Sequence, residues 1–136
     1  METQPAVLYV EDDPSSRKMM QLLLSGRMRL PQVTIMEDST DFQMRVDALD
    51  PKPDIIFLDI HVKPYDGFEM LKMLRELNWA NGTPIVALTA SVMNEEVYQL
   101  REAGFSGCLA KPLDLSTFPE IFERILDGET IWRIIN

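Results

Sequence analysis

Ile55-Ile56-Phe57-Leu58-Asp59 is a run of four apolar residues that ends in a carboxylate. An uninterrupted apolar run rich in Ile and Phe, with Pro53 before it and Pro64 after it, is typical of a strand buried on both faces of a parallel sheet. The run therefore predicts that Asp59 lies at the carboxyl end of such a strand. Ligands bind at that edge of open α/β sheets, so Asp59 is better placed for chemistry than for packing.

Four other segments have the same strand character and alternate with helical patterns. The predicted strands are Ala6–Val10, Val33–Met36, Ile55–Asp59, Pro84–Leu88 and Gly107–Ala110. The predicted helices cover 15–25, a stretch around 42–49, 67–78, the segment from 94 to 104, and the segment from 117 to 126. Expected helix caps are Asp13 or Ser15 for the first helix, Asn94 for the fourth, and a Thr117/Glu120 capping box for the fifth.

Five strands alternating with five helices, without internal repeats, predict an α/β fold with a doubly wound parallel sheet. Right-handed crossovers favour the five-stranded, flavodoxin-like order 2-1-3-4-5 with helices on both faces. The 136 residues, 46% of them hydrophobic, fit one domain with a proper core. We place that domain at residues 1–127 and treat residues 128–136 as an apolar C-terminal extension.

The composition excludes several classes of function. Thirteen basic against 22 acidic residues give a net charge of −9, which predicts no direct binding to nucleic acids or anionic membranes. No segment is long and apolar enough to span a bilayer, and residues 1–5 are too short and polar for a signal peptide, so a cytoplasmic protein is predicted. The one cysteine and one histidine exclude an internal disulfide and a zinc cluster.

Polar residues of reactive types follow or end four of the five predicted strands. They are Glu11-Asp12-Asp13 after the first strand, Asp59 in the third, Thr89 after the fourth and Lys111 after the fifth. Converging carboxylates raise one another's pKa unless a cation lies between them. Hard oxygen ligands without an imidazole and thiolate cluster indicate Mg²⁺, held by few carboxylates and several waters. The metal and Lys111 would neutralise a phosphoryl group arriving on Asp59.

These residues resemble the receiver domain of two-component response regulators, over about residues 6–126. The matching pieces are Val10-Glu11-Asp12-Asp13, Leu58-Asp59, Asp66-Gly67, Leu88-Thr89-Ala90 and Ala110-Lys111-Pro112. No single piece is specific, whereas the set in this order and spacing is highly specific. The resemblance implies a stand-alone receiver, similar to chemotaxis regulators, that signals by protein–protein contacts.

The resemblance further implies a phosphorylation switch in a phosphorelay. Asp59 would accept a phosphoryl group from a phosphohistidine on a sensor histidine kinase or phosphotransfer protein. Asp12, Asp59 and the backbone carbonyl of His61 would bind Mg²⁺, and Glu11 would act through metal-bound water. The protein would catalyse its own phosphorylation and dephosphorylation, without turnover of a separate substrate.

Further roles follow from the same resemblance. The Lys111 ammonium would pair with the phosphoryl oxygens, while the Thr89 hydroxyl would move to hydrogen-bond one of them and draw its loop inward. The side chains of His61 and Ser91 would flank the water path to the acyl phosphate and tune its hydrolysis. The Lys111–Pro112 peptide is expected to be cis. Downstream proteins would bind the surface of the fourth helix, fifth strand and fifth helix.

The sequence departs from the family in two places. Lys63 stands where the loop after the phosphoacceptor usually has proline, and Pro64 follows it. Cys108, which we expect to be a small buried residue, stands where the family usually has an aromatic that swings inward. Two alternatives are open: the switch is transmitted by backbone shifts in the loops and fourth helix, or the aromatic role has moved to a neighbour such as Phe105 or Tyr98.

The apolar segment Ile131–Ile135 has three competing interpretations. It folds back on its own domain, is the stub of a longer chain, or is a segment for partner docking or homodimerisation. Two rival functions are also open. A phosphorylation-independent interaction module is supported by Cys108 alone, and a phosphatase of the haloacid dehalogenase type would need a second aspartate where His61 stands.

Overall fold

The computed structural model describes residues 4–90 and 93–132. The strands of this part of the chain are Val7–Val10 (β1), Val33–Met36 (β2), Ile55–Asp59 (β3), Ile85–Thr89 (β4), Gly107–Ala110 (β5) and Ile131–Trp132 (β6). Its α-helices are Pro14–Gln21 (α1), Phe42–Asp47 (α2), Gly67–Arg75 (α3), Asn94–Ala103 (α4) and Phe118–Leu126 (α5). A π-helical segment, Leu22–Arg27, continues α1, and a short 3₁₀ helix, Asn78–Ala80, follows α3.

The strands form one parallel sheet in the order β2-β1-β3-β4-β5-β6. The α/β class, the parallel sheet and the order of the first five strands agree with the sequence prediction. The predicted strand number of five is wrong, because Ile131 and Trp132 pair with Gly107 and Cys108 and add a sixth strand. Two apolar residues after a glycine carry too little periodicity to be recognised as a strand.

The helix ends show two further corrections. Asn94 is the first residue of α4 instead of its cap, because the carbonyl of Met93 accepts the first helical bonds, from the amides of Glu96 and Val97. Thr117 precedes α5 but makes no side-chain cap bond; its hydroxyl donates to the carbonyl of Asp114 at 3.5 Å. Asp13 does cap α1 by accepting a hydrogen bond from the amide of Ser16 at 2.8 Å.

Two apolar layers cover the sheet. One contains side chains from α2, α3 and α4, and the other contains side chains from α1, α5 and the π-helical segment. Every residue of β3 is buried, as expected for a central strand covered on both faces. Alternate side chains of this strand pack into the two layers. Phe57 packs against Phe118 and Phe122, with ring centroids 5.6 and 6.2 Å away. The rigid centre of the sheet fixes the position of Asp59.

Within residues 4–90 and 93–132, we find no helix that combines the length and hydrophobicity needed to cross a bilayer.

Candidate functional site

Four polar residues lie at the carboxyl edge of the sheet. Glu11 follows β1, Asp59 ends β3, Thr89 ends β4 and Lys111 follows β5. Glu11, Asp59 and Thr89 are buried, and the side chain of Lys111 is 20% exposed. The predicted convergence of these residues is therefore seen in the structure, and it follows from strand pairing. β3 lies between β1 and β4, which places Asp59 centrally among the other three.

Glu11 is fully buried and accepts several hydrogen bonds. Its Oε1 accepts from the Tyr9 hydroxyl at 2.7 Å and from Lys111 Nζ at 2.9 Å, and its Oε2 accepts from the Asp13 amide at 3.3 Å. Burial raises the pKa of Glu11, but hydrogen bonds with Asp59, Tyr9 and Lys111 outweigh it and lower the pKa to about 2. Glu11 therefore stays ionised through the physiological range.

Asp59 has the opposite electrostatic balance. Burial raises its pKa first, and the hydrogen bond and negative charge of Glu11 add to this, so that the pKa of Asp59 reaches about 7. The His61 amide, which donates to Oδ1 at 3.3 Å, and Lys111 Nζ, 3.6 Å from Oδ2, partly offset the rise. Burial and the neighbouring acid thus destabilise the ionised form of Asp59, and a cation bound beside it would stabilise that form.

Lys111 supplies a positive charge at this edge. For its ammonium, burial lowers the pKa, but the hydrogen bond to Glu11 and the charges of Asp59 and Glu11 outweigh burial and raise it. The Lys111 amide also donates to the carbonyl of Thr89 at 2.9 Å, which joins the end of β5 to the end of β4. The peptide between Lys111 and Pro112 is cis, as the resemblance to receiver domains implied.

Three carboxylates could hold a metal ion here. One oxygen each of Glu11, Asp12 and Asp59 lies within 4.8 Å of the others, and Asp12 is exposed to solvent. The donors are all hard oxygens, which suit Mg²⁺ better than a transition metal, and the exposed Asp12 leaves room for metal-bound water. Arg17 donates to the backbone carbonyls of Glu11 and Asp12, at 3.1 and 2.7 Å, and so fixes the loop that carries both acids. The residue set fits the predicted magnesium site.

The remaining sequence predictions have mixed outcomes. The His61 side chain is exposed, and the role of its backbone carbonyl as a metal ligand stays a prediction. Ser91 lies outside the described residues. Cys108 is fully buried, and burial together with the charge of Glu96 raises the pKa of its thiol to about 11, which fits the expected packing role. Of the two neighbours considered for the aromatic role, Phe105 is buried edge-on against Phe68, whereas Tyr98 is exposed.

Two residues of this edge were missed from the sequence. Tyr9 lies within a buried strand. A buried tyrosine hydroxyl needs a hydrogen-bond partner, and this requirement could have predicted a contact between Tyr9 and a polar residue of the site. Ser39, also buried, has an Oγ that donates to the Tyr65 carbonyl and accepts from the Tyr65 amide, both at 2.7 Å, while its amide donates to the Lys63 carbonyl. Ser39 thus fastens the loop after β3 to the loop after β2, a contact between distant residues that carries no local signature.

Replacing Tyr9 with phenylalanine should lower the free energy of unfolding by about 1.5–3 kcal/mol, the usual worth of a hydrogen bond to a charged group. The physical reason is that the buried Glu11 carboxylate loses one of its hydrogen-bond donors. Urea unfolding at neutral pH measures the change. Tyr98→Phe is the matched control, because Tyr98 is exposed and should change stability little. Equal losses in the two variants would contradict this role of the Tyr9 hydroxyl.

The fold is a doubly wound α/β sheet with buried acids and a lysine at its carboxyl edge. Proteins of this class bind their ligands at the carboxyl ends of the strands. The family comparison makes this specific: the chain belongs to the response regulator receiver domain family, whose model matches residues 7–123. The resemblance inferred from the sequence motifs is confirmed. The comparisons do not favour the phosphorylation-independent alternative.

Known relatives and structures agree with this assignment. The chain is 32% identical over 133 residues to a nitrate/nitrite response regulator protein homolog of Haemophilus influenzae, covering 96% of this chain and 61% of that protein. It is 28% identical over 126 residues to the signal transduction histidine-protein kinase BarA of Escherichia coli K12, covering 92% of this chain and 13% of the kinase. The chain thus spans only part of the length of these relatives.

Among solved structures, the chemotaxis response regulator CheY4 of Vibrio cholerae has a TM-score of 0.79 and 26% identity, with 90% of this chain and 99% of that chain covered. The receiver domain of the sensor histidine kinase PA1611 of Pseudomonas aeruginosa has a TM-score of 0.80 and 23% identity, with 92% and 99% covered. The second likeness shows the fold alone. Both therefore support the receiver architecture.

Proposed function

We propose that this receiver is a phosphorylation switch in which Asp59 accepts a phosphoryl group from a phosphohistidine of a sensor histidine kinase or phosphotransfer protein. One observation carries the proposal: Asp59 lies in an acidic cluster with Glu11 and Asp12, and Lys111 Nζ is 2.9 Å from Glu11 Oε1 and 3.6 Å from Asp59 Oδ2. Carboxylate, metal ligands and a fixed cation are what phosphoryl transfer requires, because its catalysis is mainly positioning and charge stabilisation.

Asp12, Asp59 and the His61 carbonyl would hold Mg²⁺, with Glu11 acting through a bound water. When bound, the metal neutralises charge that develops on the transferring phosphoryl group. An Asp59 carboxylate oxygen attacks the phosphorus in line and forms an acyl phosphate, while the bond from phosphorus to the donor's imidazole nitrogen breaks. The electron pair of that bond goes to the nitrogen, and the donor ring, protonated on its other nitrogen, leaves as neutral imidazole. Lys111 Nζ, 3.6 Å from Asp59 Oδ2, is placed to pair with the phosphoryl oxygens.

The switch is proposed to run through Thr89. Its backbone carbonyl accepts a hydrogen bond from the Lys111 amide, which links the ends of β4 and β5 directly. The Thr89 hydroxyl would turn to the phosphoryl group and draw the loop before α4 inward. A downstream protein would read the change on the surface of α4, β5 and α5, and the protein would act in the cytoplasm.

The test is the intact mass of the protein after incubation with acetyl phosphate, with and without Mg²⁺. We expect a single phosphoryl adduct that forms only with Mg²⁺. No adduct under either condition would contradict the proposed function. A Mg²⁺-dependent adduct mapped to a residue other than Asp59 would contradict the assignment of the acceptor.

Mg²⁺ binding should weaken as the pH falls through about 7. The reason is that the pKa of Asp59 is raised to about 7, mainly by burial and by Glu11, so below that pH the metal must displace a proton. Glu11 has its pKa lowered to about 2 and contributes no such dependence in this range. Calorimetric Mg²⁺ titrations between about pH 5 and about pH 9 should show affinity falling by up to about tenfold per pH unit below the midpoint. A Mg²⁺ affinity that does not change with pH over this range would contradict the raised pKa of Asp59.

Replacing His61 with alanine should shorten the lifetime of the phosphorylated protein. His61 lies two residues after Asp59, and its amide donates to Asp59 Oδ1. In the proposed switch, its exposed side chain would restrict access of water to the acyl phosphate. Decay of the phosphoryl adduct, followed by intact mass after removal of donor, should be roughly severalfold faster. Lys63→Ala, an exposed change in the same loop, is the control. Equal lifetimes in wild type and His61→Ala would remove this role.

A further inference from the structure

The C-terminal end of the described chain covers the edge of the sheet beside α4. Ile131 and Trp132 of β6 pair in parallel with Gly107 and Cys108 of β5. Their side chains enter opposite layers: Ile131 is buried in the layer of α1 and α5, and Trp132 packs against the layer of α2, α3 and α4. β6 therefore binds both faces of the sheet at its edge.

Gly107 is the residue that lets β6 lie so close. A Cβ at this position would lie 2.6 Å from the Ile131 carbonyl oxygen and 3.3 Å from the Ile131 amide nitrogen. Both are backbone atoms, so a side chain at 107 could not be accommodated by a rotamer change. The sequence of β5 is thus adapted to the presence of β6, which indicates a specific docked arrangement.

Trp132 connects β5 to α4. Its ring lies on the same face as Cys108, its partner in the register, and packs with the cluster that includes Leu100 of α4 and Phe105. The Arg101 guanidinium of α4 lies 4.9 Å from the ring centroid, a cation–π distance. Neighbouring strands are about 4.8 Å apart, so the side chains of residues 108 and 132 are adjacent on this face of the sheet. Because Cys108 is small, the Trp132 indole has room to pack there.

Both neighbours of Trp132 are joined to the candidate site. β5 continues directly into Lys111, whose ammonium contacts Glu11 and Asp59, and whose amide is bonded to the Thr89 carbonyl. In chain order, α4 is the next helix after β4, which ends at Thr89. A shift of Thr89 or Lys111 would therefore displace the two surfaces between which the indole is held.

We propose that β6 is a C-terminal strap that holds the unphosphorylated state, with Trp132 as the aromatic side chain that senses the Asp59 site. The inference rests on the proposed function of Asp59. When a phosphoryl group draws Lys111 away from Glu11, the ends of β4 and β5 shift and Trp132 separates from Arg101. By linkage, a strap that binds the unphosphorylated state better opposes phosphorylation, and its removal favours phosphorylation.

The first test uses Trp79→Phe protein, in which Trp132 is the sole tryptophan because the chain has two. Trp132 emission and its quenching by acrylamide are recorded before and after Mg²⁺ and acetyl phosphate, and the intact mass of the same sample is measured. Acrylamide is chosen because the net charge of −9 would repel iodide. We expect a shift of emission to longer wavelength and stronger quenching, in proportion to the phosphoryl adduct.

The second test displaces the strap without phosphorylation. In the Trp79→Phe background, Gly107→Ala should shift Trp132 emission to longer wavelength with no donor present, because the new Cβ meets the backbone of Ile131. Gly82→Ala is the matched control, since a Cβ there meets nothing within 4 Å. Trp132→Ala, which leaves β5 intact, should speed phosphorylation of Asp59 by acetyl phosphate relative to wild type.

The outcomes separate this inference from the proposed function. A phosphoryl adduct on Asp59 with unchanged Trp132 emission would overturn the strap and leave the switch standing. Absence of the adduct would remove the switch and the strap with it. Trp132 emission that is the same in Gly107→Ala and Gly82→Ala would show that the close approach at Gly107 does not control the position of β6, and would also overturn the proposal. If Gly107→Ala does not fold, unchanged phosphorylation kinetics in Trp132→Ala would overturn it instead.

Discussion

An Asp59→Asn variant should take up no phosphoryl group from acetyl phosphate at any Mg²⁺ concentration. The amide has no anionic oxygen to attack phosphorus, and it removes one of the three carboxylates that lie within 4.8 Å. Intact mass is the measurement, and loss of the adduct should be complete. Asp12→Asn is the informative comparison: it retains the acceptor, so it should be phosphorylated more slowly and only at higher Mg²⁺.

Stability distinguishes this loss from misfolding. The pKa of Asp59 is raised to about 7, so its ionisation costs folding free energy, and the cost is complete above about pH 7. Asparagine carries no charge and its amide can still donate to Glu11. Asp59→Asn should therefore melt at a higher temperature than wild type at about pH 8 without Mg²⁺, and the difference should shrink as the pH falls toward about 4. A variant that melts lower at about pH 8 would contradict the electrostatic account of the site.

A Lys111→Met variant should slow phosphoryl transfer by about 10²–10³-fold, the usual effect of removing one donor that stabilises transition-state charge. Methionine keeps much of the side-chain length and packing while removing the ammonium that lies 2.9 Å from Glu11 and 3.6 Å from Asp59. The time course of the intact-mass adduct measures the rate. Lys72→Met, a change of the same type on the exposed face of α3, is the control and should leave the rate unchanged.

The same variant has an electrostatic consequence that can be measured separately. Lys111 partly offsets the rise in the pKa of Asp59, so its removal should raise that pKa further. The pH at which Mg²⁺ binding weakens should then move upward relative to wild type. A slow variant with an unchanged pH profile would mean that Lys111 acts on the incoming phosphoryl group alone. A rate equal to that of Lys72→Met would contradict the role of Lys111 altogether.

The strands that carry the site were predictable because their signal is local. Ile55–Asp59 is apolar at every position, and such a run belongs in the middle of a parallel sheet wherever it occurs. Once the strands are placed, their carboxyl ends bring Glu11, Asp59, Thr89 and Lys111 to one edge. Helix ends were predicted less well. The cap residue is the one whose backbone carbonyl accepts the first helical hydrogen bonds, and in α4 this is Met93 and not the predicted Asn94.

The residues that support the site were harder to predict because their partners are distant in sequence. Ser39 bonds to Tyr65, and nothing in either neighbourhood specifies the pairing. Burial raises the pKa of both Glu11 and Asp59, but the hydrogen bond between them lowers the pKa of Glu11 and raises that of Asp59. Tyr9 and Lys111 lower the pKa of Glu11 further, so the two values move in opposite directions. Such differences depend on distances of a few ångströms that only the packed structure sets.

The sequence by itself determined the α/β class, the order of the first five strands, the receiver family and the four polar positions at the strand ends. These follow from hydrophobic periodicity and from residue types at fixed points of each strand. The tertiary structure alone decided that Ile131 and Trp132 form a sixth strand, and that Trp132 occupies the face beside Cys108 and Arg101. Two residues have no periodicity of their own, and the stability of their strand comes from the β5 edge on which they pair.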